Sequence, residues 1–166
     1  GAPARTGSRM HAEGGNAKGL LSVPDRTPTP AYSAYQNLCA AMDDRYTRAE
    51  PAYRFRVANP GQFHGIGEYE DAFPSVPLLA AYQSGDAAFL AYWLPWIPQE
   101  YVVDFAKVSL EVDVSFKEPV LLDLMTGKVY AIDGVNQGSG KSGFAMLPLA
   151  DYPLALAERD TLDFLS

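Results

Sequence analysis

Between Lys107 and Phe116 the chain runs KVSLEVDVSF, in which Val108, Leu110, Val112 and Val114 alternate with Ser109, Glu111 and Asp113. Successive side chains of an extended strand point to opposite faces, so a strict period of two gathers the aliphatic groups on one side and the polar groups on the other. The same residues wound as a helix would scatter their apolar groups around the circumference. The stretch therefore predicts a strand with one dry and one wet face, and such a strand needs a second layer to cover it.

Other segments extend this pattern. YRFRV, from Tyr53 to Val57, alternates apolar residues with arginine and reads as an outer strand. VPLLAAYQS and AAFLAYWLP are apolar runs separated by a SGD turn signal, which predicts a hairpin. PVLLDL and KVYAID flank MTG, a second hairpin in which Gly127 supplies a positive φ and Asp123 bonds backbone amides at the turn. SGFAMLPL and YPLALAER are strand-like but carry Pro148 and Pro153, which places them at edges or bends. Ten tyrosines, eight phenylalanines, 13 prolines and 14 glycines suit short aromatic strands joined by tight turns. The predicted class is mainly β: an antiparallel sandwich of about seven or eight strands with one N-terminal α-helix.

That helix is expected from Pro30 to Asp44. Thr29 caps it, Pro30 takes its first position, and Ala31, Tyr35, Leu38, Cys39 and Met42 form one apolar stripe. Pro51 forbids its continuation. Residues 1–20 are small, polar and non-periodic, which predicts a flexible terminus or linker and a chain cut from a longer one. The expected organisation is thus 1–20 linker, 21–50 helix segment and 51–166 sandwich.

Composition narrows the function classes. A net charge of −7 without any basic run argues against nucleic acid. No stretch of about 18 consecutive apolar residues appears, so no membrane partner is expected. Cys39 is the single cysteine, and His11 and His64 stand far apart, so neither an internal disulfide nor a zinc site is expected. No cofactor is implied. The stretch GVNQGSGKSG, from Gly134 to Gly143, imitates a phosphate-binding loop. The required first glycine would fall at Val135, and the GFAMLPLADYP that follows cannot make the helix whose N-terminus holds the phosphates. It is expected to be a flexible turn between antiparallel strands, with Lys141 in solvent.

Two stretches carry a resemblance. RTPTPAYSAYQNLCAAMD resembles the last helix of (β/α)8-barrel glycoside hydrolases, and FLAYWLPWIPQEY, VSLEV and PVLLDLMTGKVYAI resemble the β-sandwich that follows such barrels. Together they run from about residue 20 to 132. The resemblance implies that 21–50 belongs to the end of a catalytic domain. It further implies that 51–166 is a C-terminal accessory domain packing on that barrel and shaping substrate access, and that the parent enzyme is secreted or periplasmic. Barrel glycosidases hold their paired carboxylates at the ends of barrel strands. The resemblance therefore implies a catalytically silent chain, and no catalytic residue is assigned.

Candidate ligand-binding or interdomain residues fall in two places. The loop GQFHGIGEYEDAFP holds His64, Glu68 and Tyr69, with Glu70 and Asp71 beside them; it faces a sugar or a neighbouring domain, or simply docks its aromatics on the sandwich. YWLPWIPQEY offers Trp96, Glu100 and Tyr101 as a sugar platform, with Gln99 nearby, while Trp93 at a strand end belongs to the core. The bland alternative is that Trp96 anchors an interface. Two other functions compete with an accessory domain. One is a carbohydrate-binding module that takes polysaccharide on its exposed aromatics. The other is a small stand-alone carbohydrate-active enzyme using Glu68 or Glu70.

Overall fold

The computed structural model describes residues 36–39, 41–61, 76–95 and 105–165. Ten strands follow in chain order: β1 Thr47–Ala49, β2 Tyr53–Asn59, β3 Leu78–Ser84, β4 Ala87–Trp93, β5 Ala106–Val112, β6 Pro119–Asp123, β7 Val129–Ala131, β8 Val135–Gly138, β9 Lys141–Leu149 and β10 Leu154–Glu158. They form a six-stranded sheet, β1-β3-β4-β10-β6-β7, and a four-stranded sheet, β2-β5-β9-β8. Every pairing is antiparallel. This is the mainly-β sandwich that the alternation in KVSLEVDVSF requires. Val108, Leu110 and Val112 are buried while Lys107 and Glu111 face water.

The main core fills the space between the sheets. Leu90, Tyr92 and Leu94 meet Leu121, Leu154 and Leu156 from the larger sheet, and Val108, Leu110, Phe144, Leu147 and Leu149 from the smaller one. A second core lies on the opposite side of the six-stranded sheet. There Phe89, Ala91, Val120, Leu122, Ala155 and Ala157 are covered by Leu38, Ala41, Met42 and Tyr46, and by Leu162 of a closing 3-10 helix, Arg159–Leu165. The molecule thus has three layers, with the six-stranded sheet in the middle. That explains why AAFLAYW and LALAE show no alternation: a strand buried on both faces needs apolar groups on both. β10 is buried at every position.

Several expectations change. Among the described residues ten strands replace the seven or eight, because the short β1 and β8 carry too few apolar residues to signal themselves. GVNQGSGKSG does join two antiparallel strands as expected, a β-hairpin with Gly138 paired to Lys141 and the lysine exposed. β9 and β10 are interior strands, each with neighbours on both sides. Pro153 is tolerated because it precedes the first paired residue of β10, and Pro148 because β8 pairs β9 only as far as Phe144. Past that point β9 is flanked by β5 alone, and the Pro148 carbonyl accepts a hydrogen bond from the Tyr92 hydroxyl at 2.8 Å.

Among the described residues of the N-terminal helix, 36–39 and 41 are helical, so it ends short of Asp44. Asp43 stops it, its carboxylate accepting the Arg45 amide at 2.9 Å in a local turn. Leu38 and Met42 pack on the sandwich's own sheet, whereas Cys39 is exposed and off the packing stripe. Ala31 and Tyr35 lie outside the described residues. Asn37 donates to the Leu124 carbonyl at 2.8 Å and ties this layer to the β6–β7 turn. That turn is built as expected: Asp123 Oδ1 accepts the Met125 amide at 2.9 Å, and Gly127 takes a φ of 73°. Trp93, expected in the core, is half-buried at the end of β4. Among the described residues no helix is long and apolar enough to cross a membrane.

Candidate functional site

One end of the sandwich concentrates polar chemistry, and its architecture begins with Glu158. This last residue of β10 is 5% exposed, and Ser142 is the only other buried polar side chain among the described residues. Its two carboxylate oxygens accept the backbone amides of Lys117 and Glu118 at 2.7 and 2.9 Å. Charge-assisted bonds of this kind are strong and directional, so they fix the link between β5 and β6. Arg159 adds a second tie, its amide donating to the Glu118 carbonyl at 3.0 Å and its Nε to the Glu118 carboxylate at 2.7 Å. The result holds Lys117 at the sandwich end.

Three other segments converge there. The two-residue β3–β4 turn brings Asp86, because the register runs from Ser84 paired with Ala87. The turn after the helix brings Asp43, Arg45 and Tyr46, and the 3-10 helix brings Asp160 and Thr161. Between them lies a cleft of about 590 Å³ walled by Asp43, Arg45, Asp86, Lys117, Glu158 and Asp160. A second cavity of about 410 Å³ lies beside the link between β5 and β6, with Ala49, Gln83, Asp113, Ser115 and Phe116 among its walls. Asp86 and Lys117 line both.

The charges divide into committed and available groups. Asp43 and Arg45 form an exposed pair at 2.7 Å; the side-chain hydrogen bond from Arg45 lowers the Asp43 carboxyl below its ordinary range, and the same bond raises the guanidinium. Glu158 is spent on backbone amides. Asp86, Asp160 and the Lys117 amine make no side-chain hydrogen bond or ion pair among the described residues. The cleft therefore offers acceptors on two sides and a cationic donor between its walls. Among the described residues no three His, Cys, Asp or Glu side chains are grouped to hold a metal.

The residues singled out by the sequence, Trp96, Glu100, Tyr101, His64, Glu68 and Tyr69, all lie outside the described residues, as do Glu70, Asp71 and Gln99. The structure draws together a different set, Asp43, Asp86, Lys117, Glu158 and Asp160. No family model and no curated protein matches this sequence. The set was not legible because each member sits in a short polar turn: SGD and FKEP carry turn signals that say nothing about which turns meet in space.

Proposed function

We propose that this chain is a non-catalytic β-sandwich accessory domain of a multidomain glycoside hydrolase, packing on the catalytic barrel and shaping access to it. The observation that carries the reading is the state of Glu158. The one buried carboxylate among the described residues is committed through both oxygens to backbone amides, which is scaffolding. Glycoside cleavage needs a second carboxyl set at a defined distance across the scissile bond, and the remaining acids of the cleft stand in open, solvated turns. The resemblance of β4, β5 and the β6–β7 hairpin to sandwiches that follow such barrels supplies the parent class.

The layering favours one docking face. The outer side of the six-stranded sheet is already covered by the chain's own second core. The outer side of the four-stranded sheet presents Arg54, Arg56, Lys107 and Glu111 together with the exposed Met146, a mixed surface of the kind found between domains of one chain. Incubated with a panel of aryl glycosides, the chain should give no turnover; hydrolysis that survives repurification refutes the reading. Hydroxyl-radical footprinting of the chain alone and within its parent should show Met146 protected in the latter.

A second reading, a carbohydrate-binding module, is favoured by the uncommitted Asp86, Asp160 and Lys117. Affinity electrophoresis through polysaccharide gels tests it, and mobility unchanged in every gel removes it.

A further inference from the structure

We infer that the free edge of β2 is a docking site for an extended peptide segment whose residues alternate between acidic and apolar, added antiparallel beside β2 to lengthen the four-stranded sheet. The inference concerns the edge of the strand and does not rest on the accessory-domain reading.

β2 ends its sheet, and β5 is its single neighbour among the described residues. Which backbone groups it leaves open follows from one bond. The Asp113 amide donates to the Ala52 carbonyl at 2.9 Å, one step beyond the Tyr53–Val112 pair. In an antiparallel ladder, hydrogen-bonded and non-hydrogen-bonded pairs alternate. Arg54 and Arg56 therefore turn their N–H and C=O groups toward Glu111 and Ser109 of β5, while those of Tyr53, Phe55 and Val57 point away from the sheet. This edge offers donors and acceptors in the alternation that a further strand needs. A register shift past Val57 ends it there.

The two faces of the edge dictate what can pair with it. Toward the core, the Phe55 ring lies 5.9 Å from that of buried Tyr92, and Tyr53 packs edge-on against Phe55 at 5.8 Å. Tyr53 and Val57 nevertheless remain 41% and 37% exposed, at the margin of the core. Apolar side chains of an added strand would lie beside this row and complete its burial. Toward water, the alternate positions are Arg54 and Arg56, both exposed, with Lys107 and Glu111 behind them on β5. Opposite charges on facing strands attract and like charges repel, so the outward residues of the partner are acidic. The same rule disfavours a second copy of this chain. Two β2 strands paired antiparallel about Phe55 would set Arg54 of each across from Arg56 of the other.

The probe is the capped peptide Ile-Glu-Val-Glu-Ile, titrated into the whole chain and followed by ¹H–¹⁵N correlation spectra and amide hydrogen exchange. In the free chain the amides of Tyr53, Phe55 and Val57 should exchange fast and those of Arg54 and Arg56 slowly. Saturating peptide should slow the first three about tenfold or more. N-methylation of the central valine, whose N–H faces β2 in this register, should abolish binding. N-methylation of the first glutamate, whose N–H points away, should leave it nearly unchanged. Ile-Lys-Val-Lys-Ile should bind about tenfold more weakly, and the double variant Arg54→Glu, Arg56→Glu should reverse that preference. No saturable shift, protection arising at other amides, equal binding of the two methylated peptides, or equal binding of the acidic and basic peptides would overturn the inference. Protection of the same three amides before peptide is added would also overturn it, the edge being held already by this chain or, where protection grows with concentration, by a second copy.

Discussion

Glu158 gives the sharpest test of how the sandwich end is built. Replacing it with alanine removes the acceptor from two amides, Lys117 N at 2.7 Å and Glu118 N at 2.9 Å. A hydrogen bond to a charged group contributes about 1.5–3 kcal/mol, which sets an upper bound of about 3–6 kcal/mol for the pair. Two effects reduce it. Lys117 and Glu118 are exposed residues beside an open cleft, so water can replace part of the lost bonding, and the mutant no longer carries the cost of burying a carboxylate. The expected loss for Glu158→Ala is about 2–4 kcal/mol. Glu158→Gln keeps the shape and one acceptor but turns an amide N–H₂ toward a backbone N–H, so about 1–3 kcal/mol is expected. Urea denaturation with an unchanged m-value reads both, and in a thermal scan a loss of 3 kcal/mol appears as a drop of about 6–12 °C. Glu118→Ala serves as control: its bridge to Arg159 is exposed on both sides and should be worth less than about 1 kcal/mol. If both Glu158 variants stay within about 0.5 kcal/mol of the parent, below the size of one ordinary hydrogen bond, the clamp is not what holds this end together.

Three further outcomes are expected. Burial holds the Tyr92 phenol far above its ordinary value of 10.0, so the folded state keeps a proton that the unfolded state releases. Stability from this group is therefore full below that value and declines as pH rises above it; Tyr92→Phe should flatten the decline, and should cost about 1 kcal/mol at neutral pH through the lost bond to Pro148. The Asp43 carboxyl, lowered by its bond to Arg45, should titrate by NMR below an ordinary aspartate and return toward the ordinary value in Arg45→Ala or in high salt. Gly127→Ala should destabilise more than Gly85→Ala: both positions have positive φ, but a Cβ at Gly127 lies 3.1 Å from the Asn37 amide oxygen whereas one at Gly85 meets nothing. About 1 kcal/mol is expected at Gly85 from backbone strain alone, and equal losses would show that Asn37 moves freely.

The strands that could be read in advance were those whose burial is one-sided or bounded by a strong turn. KVSLEV declared its faces because only one is buried, and the SGD and MTG turns fixed two hairpins because a tight turn sets register locally. LALAE misled because its apolar run shows burial without showing which neighbours bury it. Pro153 suggested an edge, yet a proline outside the ladder leaves the strand free to sit at the centre, between β4 and β6. The helix stripe likewise announced a partner without naming it. That Leu38 and Met42 rest on Phe89, Ala155 and their neighbours depends on sheet order, which no local pattern encodes.

The candidate site was hidden for a related reason. Its polar groups come from four turns separated by as many as 117 residues, Asp43 to Asp160, and each turn alone is an ordinary solvated connection. What converts them into a site is the antiparallel order of the larger sheet. The β3–β4 turn, the approach to β6 and the exit from β10 all fall at one end, because β4 and β6 both run opposite to β10. Sequence reasoning favoured the aromatic stretches because indole and phenol rings advertise binding one residue at a time. A cleft walled by charges from distant turns has no such local signature, and its chemistry becomes legible only when the strand order is known.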